Sequence, residues 1–207
     1  MKDWRLIYII FAKSEDKLYI SNKNRQAYFV LLSVCIIFVR INLKNCNVMF
    51  DKETYVQRRA LLKKNIGSGV LLFLGNDEQG LNYEDNAFRY RQDSTFLYYF
   101  GLSFAGLSAI IDIDEDKEII FGDELTIDHI VWMGTQPTLK EKSERVGIRE
   151  TLPSVAIISY LHKAVQKGQT VHYLPPYRPE HKLKLMDWLG IPPARQEGSV
   201  PFIRAVV

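Results

Sequence analysis

Four histidines, His129, His162, His172 and His181, are the first residues in this 207-residue chain that could bind a metal or move a proton. No two of them are spaced four apart, so no pair shares one helix face as a helical zinc site requires. His162 falls in a predicted helix and His172 in a predicted strand, and each reads as a packed or surface histidine. The run Asp112, Asp114, Glu115, Asp116 and Glu118 alternates as calcium ligands do. A helix-loop-helix calcium loop needs glycine at its sixth position and a bidentate glutamate at its twelfth. Lys117 and Asp123 stand there instead, so the run reads as a solvated hairpin turn. Gly67-Ser68-Gly69 and Gly106-Leu107-Ser108 lack the G-x-S-x-G pattern of a nucleophile elbow, and there is no phosphate loop or dinucleotide fingerprint. Both cysteines, Cys35 and Cys46, precede Met49, which leaves the rest of the chain without a thiolate nucleophile, a cysteine zinc site or a disulfide. No catalytic residue and no metal ligand is assigned.

The segment from Phe88 to Leu102, FRYRQDSTFLYYFGL, is of a different kind. Arg89, Arg91 and Asp93 lead into the closely spaced aromatics Phe96, Tyr98, Tyr99 and Phe100. Asp93 or Ser94 can cap a short helix through Phe100, with Gly101 ending it. One reading is structural, a capped helix packed on a core. The other is functional: aromatics with polar tips beside arginines form an edge where a second subunit or a peptide docks. The residues alone leave both open.

Around these segments the composition is that of a folded globular protein, 47% hydrophobic with 27 Lys+Arg against 24 Asp+Glu. The charge is unevenly placed. Residues 1–48 hold 8 Lys+Arg against 3 Asp+Glu, the remainder 19 against 21, and every glycine and proline follows Met49. A slightly acidic body excludes the basic footprint of a nucleic-acid binder, and with no cysteine it reads as cytoplasmic. Within the leader, Ala27 to Val39 is apolar apart from Ser33. As a helix it would be roughly 20 Å long against a hydrocarbon core of roughly 30 Å, and no small-x-small cleavage site follows it before Met49. A membrane partner is not expected. Three readings of the leader stay open: a segment outside the working protein with Met49 as the natural start, a membrane tether, or an extra packed element.

The elements that must position the Phe88–Leu102 segment follow from periodicity. Lys52 to Asn65 has the spacing of an amphipathic helix, with Tyr55, Val56, Ala60, Leu61 and Leu62 apolar. Val70 to Leu74 is a wholly apolar strand buried on both faces. Leu107 to Ile113 and Lys117 to Phe121 form an antiparallel hairpin. Helices are predicted over Thr138 to Val146, Ser154 to Lys167 and Pro179 to Leu189, the last with proline in its first turn and Gly190 after it. Thr170 to Leu174 is a further strand. A buried strand next to a hairpin predicts an α/β fold with a mixed β-sheet flanked by helices, one domain over 49–207. A new apolar stretch begins at Ser199 with no terminating signal, so the chain is expected to continue past Val207.

Arg91 to Leu102, RQDSTFLYYFGL, resembles the N-terminal domain of aminopeptidase P, the Xaa-Pro aminopeptidases, whose relatives include prolidase and creatinase. Val131-Trp132-Met133-Gly134, with Gln136-Pro137 and the helix after them, resembles that family's W-x-G segment, and Phe202-Ile203-Arg204 resembles the approach to its linker. The resemblance covers Met49 to Val207 and none of the leader. It implies a mixed sheet flanked by helices, followed in the family by a pita-bread domain. There two divalent metals, usually manganese, are held by two Asp, one His and two Glu and hydrolyse the bond before a proline at position two. All five ligands would lie beyond Val207, so this chain is expected to bind no cofactor and to be inactive alone. The implied role is self-association and shaping of access, for proline-containing peptides, to a neighbouring catalytic domain. The resemblance places Arg91, Leu97, Tyr98 and Tyr99 at that interface or access route, with leucine at 97 where family members often carry tryptophan. The alternative is a free-standing peptide- or protein-binding or assembly module of the same fold with no peptidase activity.

Overall fold

Strand β1 (Val70–Leu74) lies inside a five-stranded sheet in the computed structural model, which describes residues 49–206 apart from 84, 85, 128–130, 133 and 135. The apolar run Ala27 to Val39, His129 and Met133 lie outside the described residues. β1 pairs antiparallel with β2 (Ser108–Asp112), Val70 opposite Asp112 and Leu74 opposite Ser108, and β2 pairs antiparallel with β3 (Lys117–Phe121). Asp116 closes that hairpin at φ 48°, a left-handed conformation that aspartate tolerates. Two short strands complete the sheet. β4 (Glu150–Leu152) runs parallel to β3 and β5 (Val171–Tyr173) parallel to β1, which gives the order β4-β3-β2-β1-β5 and the mixed sheet expected from the sequence. β4 escapes a reading based on apolar runs because Glu-Thr-Leu is not one.

Side chains alternate across the strands, and each face has its own core. Leu71, Phe73, Ala109, Ile111 and Ile120 pack under α1 (Lys52–Ile66), α2 (Ser94–Phe100), α3 (Leu139–Glu144) and α6 (Val200–Val206). Val70, Leu72, Ile110, Ile119 and Phe121 pack under α4 (Ala156–Gln166) and α5 (Pro179–Leu189). Helix α5 has the limits its proline and glycine mark. α3 is shorter than predicted. Thr138 caps it, its Oγ1 accepting from Glu141 N (3.2 Å) while Glu141 Oε2 accepts from Thr138 N (2.9 Å), and the chain then turns through Gly147 to bury Val146 and Ile148. α4 begins two residues late because Ser154 is held by Asp123, N to Oδ1 at 3.0 Å. The apolar stretch after Ser199 forms α6, whose Phe202 meets Phe73 edge-on at 5.1 Å. No helix among the described residues is long and apolar enough to cross a membrane.

The buried stripe of α1 differs from the one hydropathy predicts. Tyr55, Arg59 and Leu62 are buried, whereas Val56 and Leu61 are 42% and 60% exposed. Arg59 is fully enclosed. Its Nε donates to Glu118 Oε2 (2.7 Å), Nη1 to Tyr99 O (2.9 Å) and Nη2 to Val146 O (2.9 Å). Burial pulls its pKa down and Glu118 works against that pull. A buried charge is tolerable only when paired and fully hydrogen-bonded, and here all three guanidinium nitrogens find acceptors. The fork ties α1 to β3, to the end of α2 and to the turn after α3. Replacing Arg59 with alanine leaves Glu118 with Lys63 alone (3.1 Å) and two carbonyls without their donor, and is expected to cost about 3 kcal/mol or more in a urea unfolding experiment.

Candidate functional site: an arginine-bearing loop and its cleft

At the end of β1 the chain passes through Gly75, where a Cβ would come within 2.5 Å of Leu107 O, so no larger residue fits. Next, Asn76 is joined to the segment that carries the sequence motif. Gln92, almost fully buried, engages both ends of its amide: Oε1 accepts from Asn76 N (2.7 Å) and Asp93 N (2.9 Å), and Nε2 donates to Phe104 O (3.0 Å). Asn76 Nδ2 donates back to Arg91 O at 2.8 Å. Tyr90 Oη donates toward Phe104 O (2.9 Å) and Asn76 O (3.3 Å), and burial, reinforced by Asp77 and Glu78, pushes its pKa up. Asp93 is the N-cap of α2, its Oδ1 accepting from Phe96 N (2.9 Å) while Oδ2 accepts from Tyr177 Oη (2.9 Å). Gly101 ends α2 at φ 65°, with the Tyr55 ring 2.3 Å from where its Cβ would lie. Gln92 and Asp93 are thus consumed in folding the loop.

The four residues singled out from the sequence do not form one patch. Arg91 is exposed and lines a cleft beside the start of α2. Tyr98 is half exposed on the outer side of α2. Arg58 lies over its ring at 4.0 Å and over the Phe50 ring at 4.6 Å, and donates from Nη1 to Tyr98 O at 2.8 Å. Leu97 is half-buried, and Tyr99 lies in the core, 5% exposed, its ring 5.5 Å from Phe73. Successive helical positions are about 100° apart, so residues 97, 98 and 99 cannot face the same way. Burial pushes the Tyr99 phenol up.

The cleft itself, about 430 Å³, was not legible as a site. Arg89, Arg91 and Arg178 line it together with Asp77, Glu78 and the rings of Phe88, Tyr90 and Tyr177. Arg178 is paired with Glu180 (2.9 Å) and Asp77 with Lys184 (2.7 Å). The guanidinium groups of Arg89 and Arg91 make no hydrogen bond or ion pair among the described residues. Across Tyr177 lies a second hollow of about 260 Å³, walled by Leu174, Pro175, Pro176, Ile203 and Val206. His181 anchors the junction, Nε2 donating to Gly75 O at 3.0 Å, and burial holds its pKa down. Tyr177 and Arg178 sit far along the chain from Arg91, and only their aromatic and basic character could have suggested them.

Nothing among the described residues fits a metal pair: no three His, Cys, Asp or Glu side chains gather around one point. The carboxylates of the hairpin are already engaged. Asp112 accepts from Tyr160 Oη (2.8 Å) and Gln169 Nε2 (2.9 Å), and Asp114 from Gly69 N (3.1 Å) and Gln169 Nε2 (3.0 Å). Glu115 is held at a pKa of about 2 by Lys117 and Lys167. The acidic run is a hairpin turn, as its sequence indicated.

A mixed sheet with helices on both faces and a Gln-Asp-braced loop at the end of β1 defines the class of domain. The chain matches the N-terminal domain of aminopeptidase P over residues 55–173, and it belongs to that family. A probable Xaa-Pro aminopeptidase of Chaetomium globosum is 30% identical over 112 residues, covering 52% of this chain and 18% of that protein. A human Xaa-Pro dipeptidase is 33% identical over 90 residues, 42% of this chain and 18% of that protein. The chain thus spans about a fifth of the length of these curated relatives. Among solved structures, a Pseudomonas aeruginosa aminopeptidase (PepP) superposes with a TM-score of 0.60 at 21% identity, over 73% of this chain and 35% of that one. The low-pH form of Escherichia coli aminopeptidase P does so at 0.57 and 18%, over 68% and 33%. The likeness to these structures establishes the shared fold.

Two predictions follow from the loop. Gln92→Ala removes a buried amide that serves three backbone groups, and is expected to cost about 2–3 kcal/mol by urea unfolding. His181 has a folded pKa below its ordinary 6.5, so unfolding takes up a proton. Its contribution is complete above pH 6.5 and is lost as the pH falls below that value. Thermal midpoints measured against pH should therefore decline through this window, and His181→Gln should reduce the slope.

Proposed function

We propose that residues 49–207 are the N-terminal, non-catalytic domain of a metal-dependent Xaa-Pro aminopeptidase. The observation that carries this is the family match over residues 55–173, which contains the Arg91–Leu102 loop. The names of the relatives, Xaa-Pro aminopeptidase and Xaa-Pro dipeptidase, supply the reaction: hydrolysis of a peptide bond next to proline. In this reading the pita-bread domain with its two manganese ions belongs to sequence outside these 207 residues, and the protein is cytoplasmic. Residues 1–48 precede the domain as a leader that is either a segment outside the working protein, a membrane tether or an extra packed element.

The domain then contributes self-association and access to the catalytic cleft. Tyr98, stacked with Arg58, and Leu97 beside it form the outward contact, with Tyr99 supporting them from the core and Arg91 facing the approach. A rigid aromatic stacked with a guanidinium is the kind of anchor that dominates protein interfaces. Two measurements test the reading. The purified chain with manganese should not hydrolyse an X-Pro peptide, and metal-dependent cleavage by the chain alone overturns the assignment. By sedimentation equilibrium the chain should self-associate, and Tyr98→Ala should weaken that association about tenfold or more. A chain that stays monomeric at high concentration removes the assembly role.

A further inference from the structure

We propose that the cleft beside α2 binds a monoanionic carboxylate attached to an apolar group, such as an N-acylated amino acid or the C-terminal end of a short peptide, with Arg89 and Arg91 as the carboxylate clamp. The inference rests on the cleft's own residues and holds whether or not the peptidase reading does. Its first support is the state of the two guanidiniums. Two of the five charges that line the cleft are already answered, Arg178 by Glu180 and Asp77 by Lys184. Arg89 and Arg91 are exposed and make no such bond among the described residues. They stand two apart in a loop between the bridge at Ala87 and the start of α2, and both line the cleft. The planar fork of arginine matches a carboxylate with two parallel hydrogen bonds.

The second support is preorganisation. The Arg91 carbonyl is held by Asn76 Nδ2 at 2.8 Å, and its neighbour Gln92 is bonded to three backbone groups. The clamp therefore projects from backbone that does not have to be ordered on binding, which removes one cost of association. The third is the charge and shape of the space. Three arginines and two carboxylates line the cleft, an excess of one positive charge that suits a monoanion and disfavours a dianionic phosphate. The volume, about 430 Å³, lies within the usual range for small-ligand sites. The Phe88 and Tyr90 rings offer apolar faces, and across Tyr177 lies the hollow walled by Pro175 and Pro176.

The test titrates the whole 207-residue chain with N-acetylphenylalanine, N-acetylphenylalaninamide, a tripeptide ending in phenylalanine and inorganic phosphate. Calorimetry is read alongside the arginine Nε–H resonances in NMR. The expected result is that the free acid binds at least tenfold more tightly than its amide and shifts two arginine Nε–H signals. Arg89→Gln and Arg91→Gln should each weaken it about tenfold, with Arg91→Lys restoring only part. Arg149→Gln, beside edge strand β4, should leave binding unchanged. Tighter binding of the tripeptide identifies a peptide end as the source of the carboxylate, and equal binding a free N-acyl amino acid. Equal affinity for acid and amide, no binding of either, or phosphate bound more tightly than the acid overturns the proposal. The Nε–H shifts are read in the unmutated chain, so a variant that fails to fold does not shield the idea from refutation.

Discussion

A guanidinium sealed inside a domain imposes a geometric demand, because its charge must be paired and each of its nitrogens must meet an acceptor. Arg59 meets that demand with one carboxylate and two main-chain carbonyls taken from three separate elements. The carbonyl of Tyr99 belongs to the last turn of α2, whose carbonyls have no partner within the helix. Arg58, one residue earlier, serves Tyr98 O, and Gly101 N serves Leu97 O. The end of α2 is thereby satisfied by two consecutive arginines of α1, cations placed where the negative end of a helix favours them.

The other end of α2 is held just as fully. A seven-residue helix has little stability by itself. Asp93 binds both the first turn and the Tyr177 hydroxyl, so α2 is fixed at its start by the segment that leads into α5 and at its end by α1. The loop that carries Arg89 and Arg91 hangs from the first of these anchor points and is pinned to β1 through Gln92 and Asn76. The orientation of the cleft is thus set by contacts at both ends of the helix.

What could be read from the sequence is what local chemistry dictates. β1, β2 and β3 stand out as apolar runs broken by glycine and aspartate, and α5 carries its own start and stop in Pro179 and Gly190. The Asp93 cap and the Gly101 terminator were visible for the same reason. β4 was not, since three residues without an apolar pattern become a strand only because β3 offers them an edge. Arg59 was hidden more deeply. Hydropathy places arginine on the water side, and the helix buries it between Tyr55 and Leu62 while leaving Val56 and Leu61 outside. The cleft needs Tyr177 and Arg178 brought beside Arg91, a proximity created by the parallel pairing of β5 with β1 that no local spacing announces.

That pairing also sets an order of events during synthesis. β1 finds its antiparallel neighbour soon after it is made, but Val70 waits about a hundred residues for Val171. Loop closure over such a distance is slow compared with hairpin formation. Until β5 leaves the ribosome, one side of the most apolar strand in the sheet is an unpaired edge, open to the wrong partner. The family match ends at Tyr173, the last residue of β5. The match thus contains every strand of the sheet, and a nascent chain that stops short of β5 carries its stickiest strand uncovered.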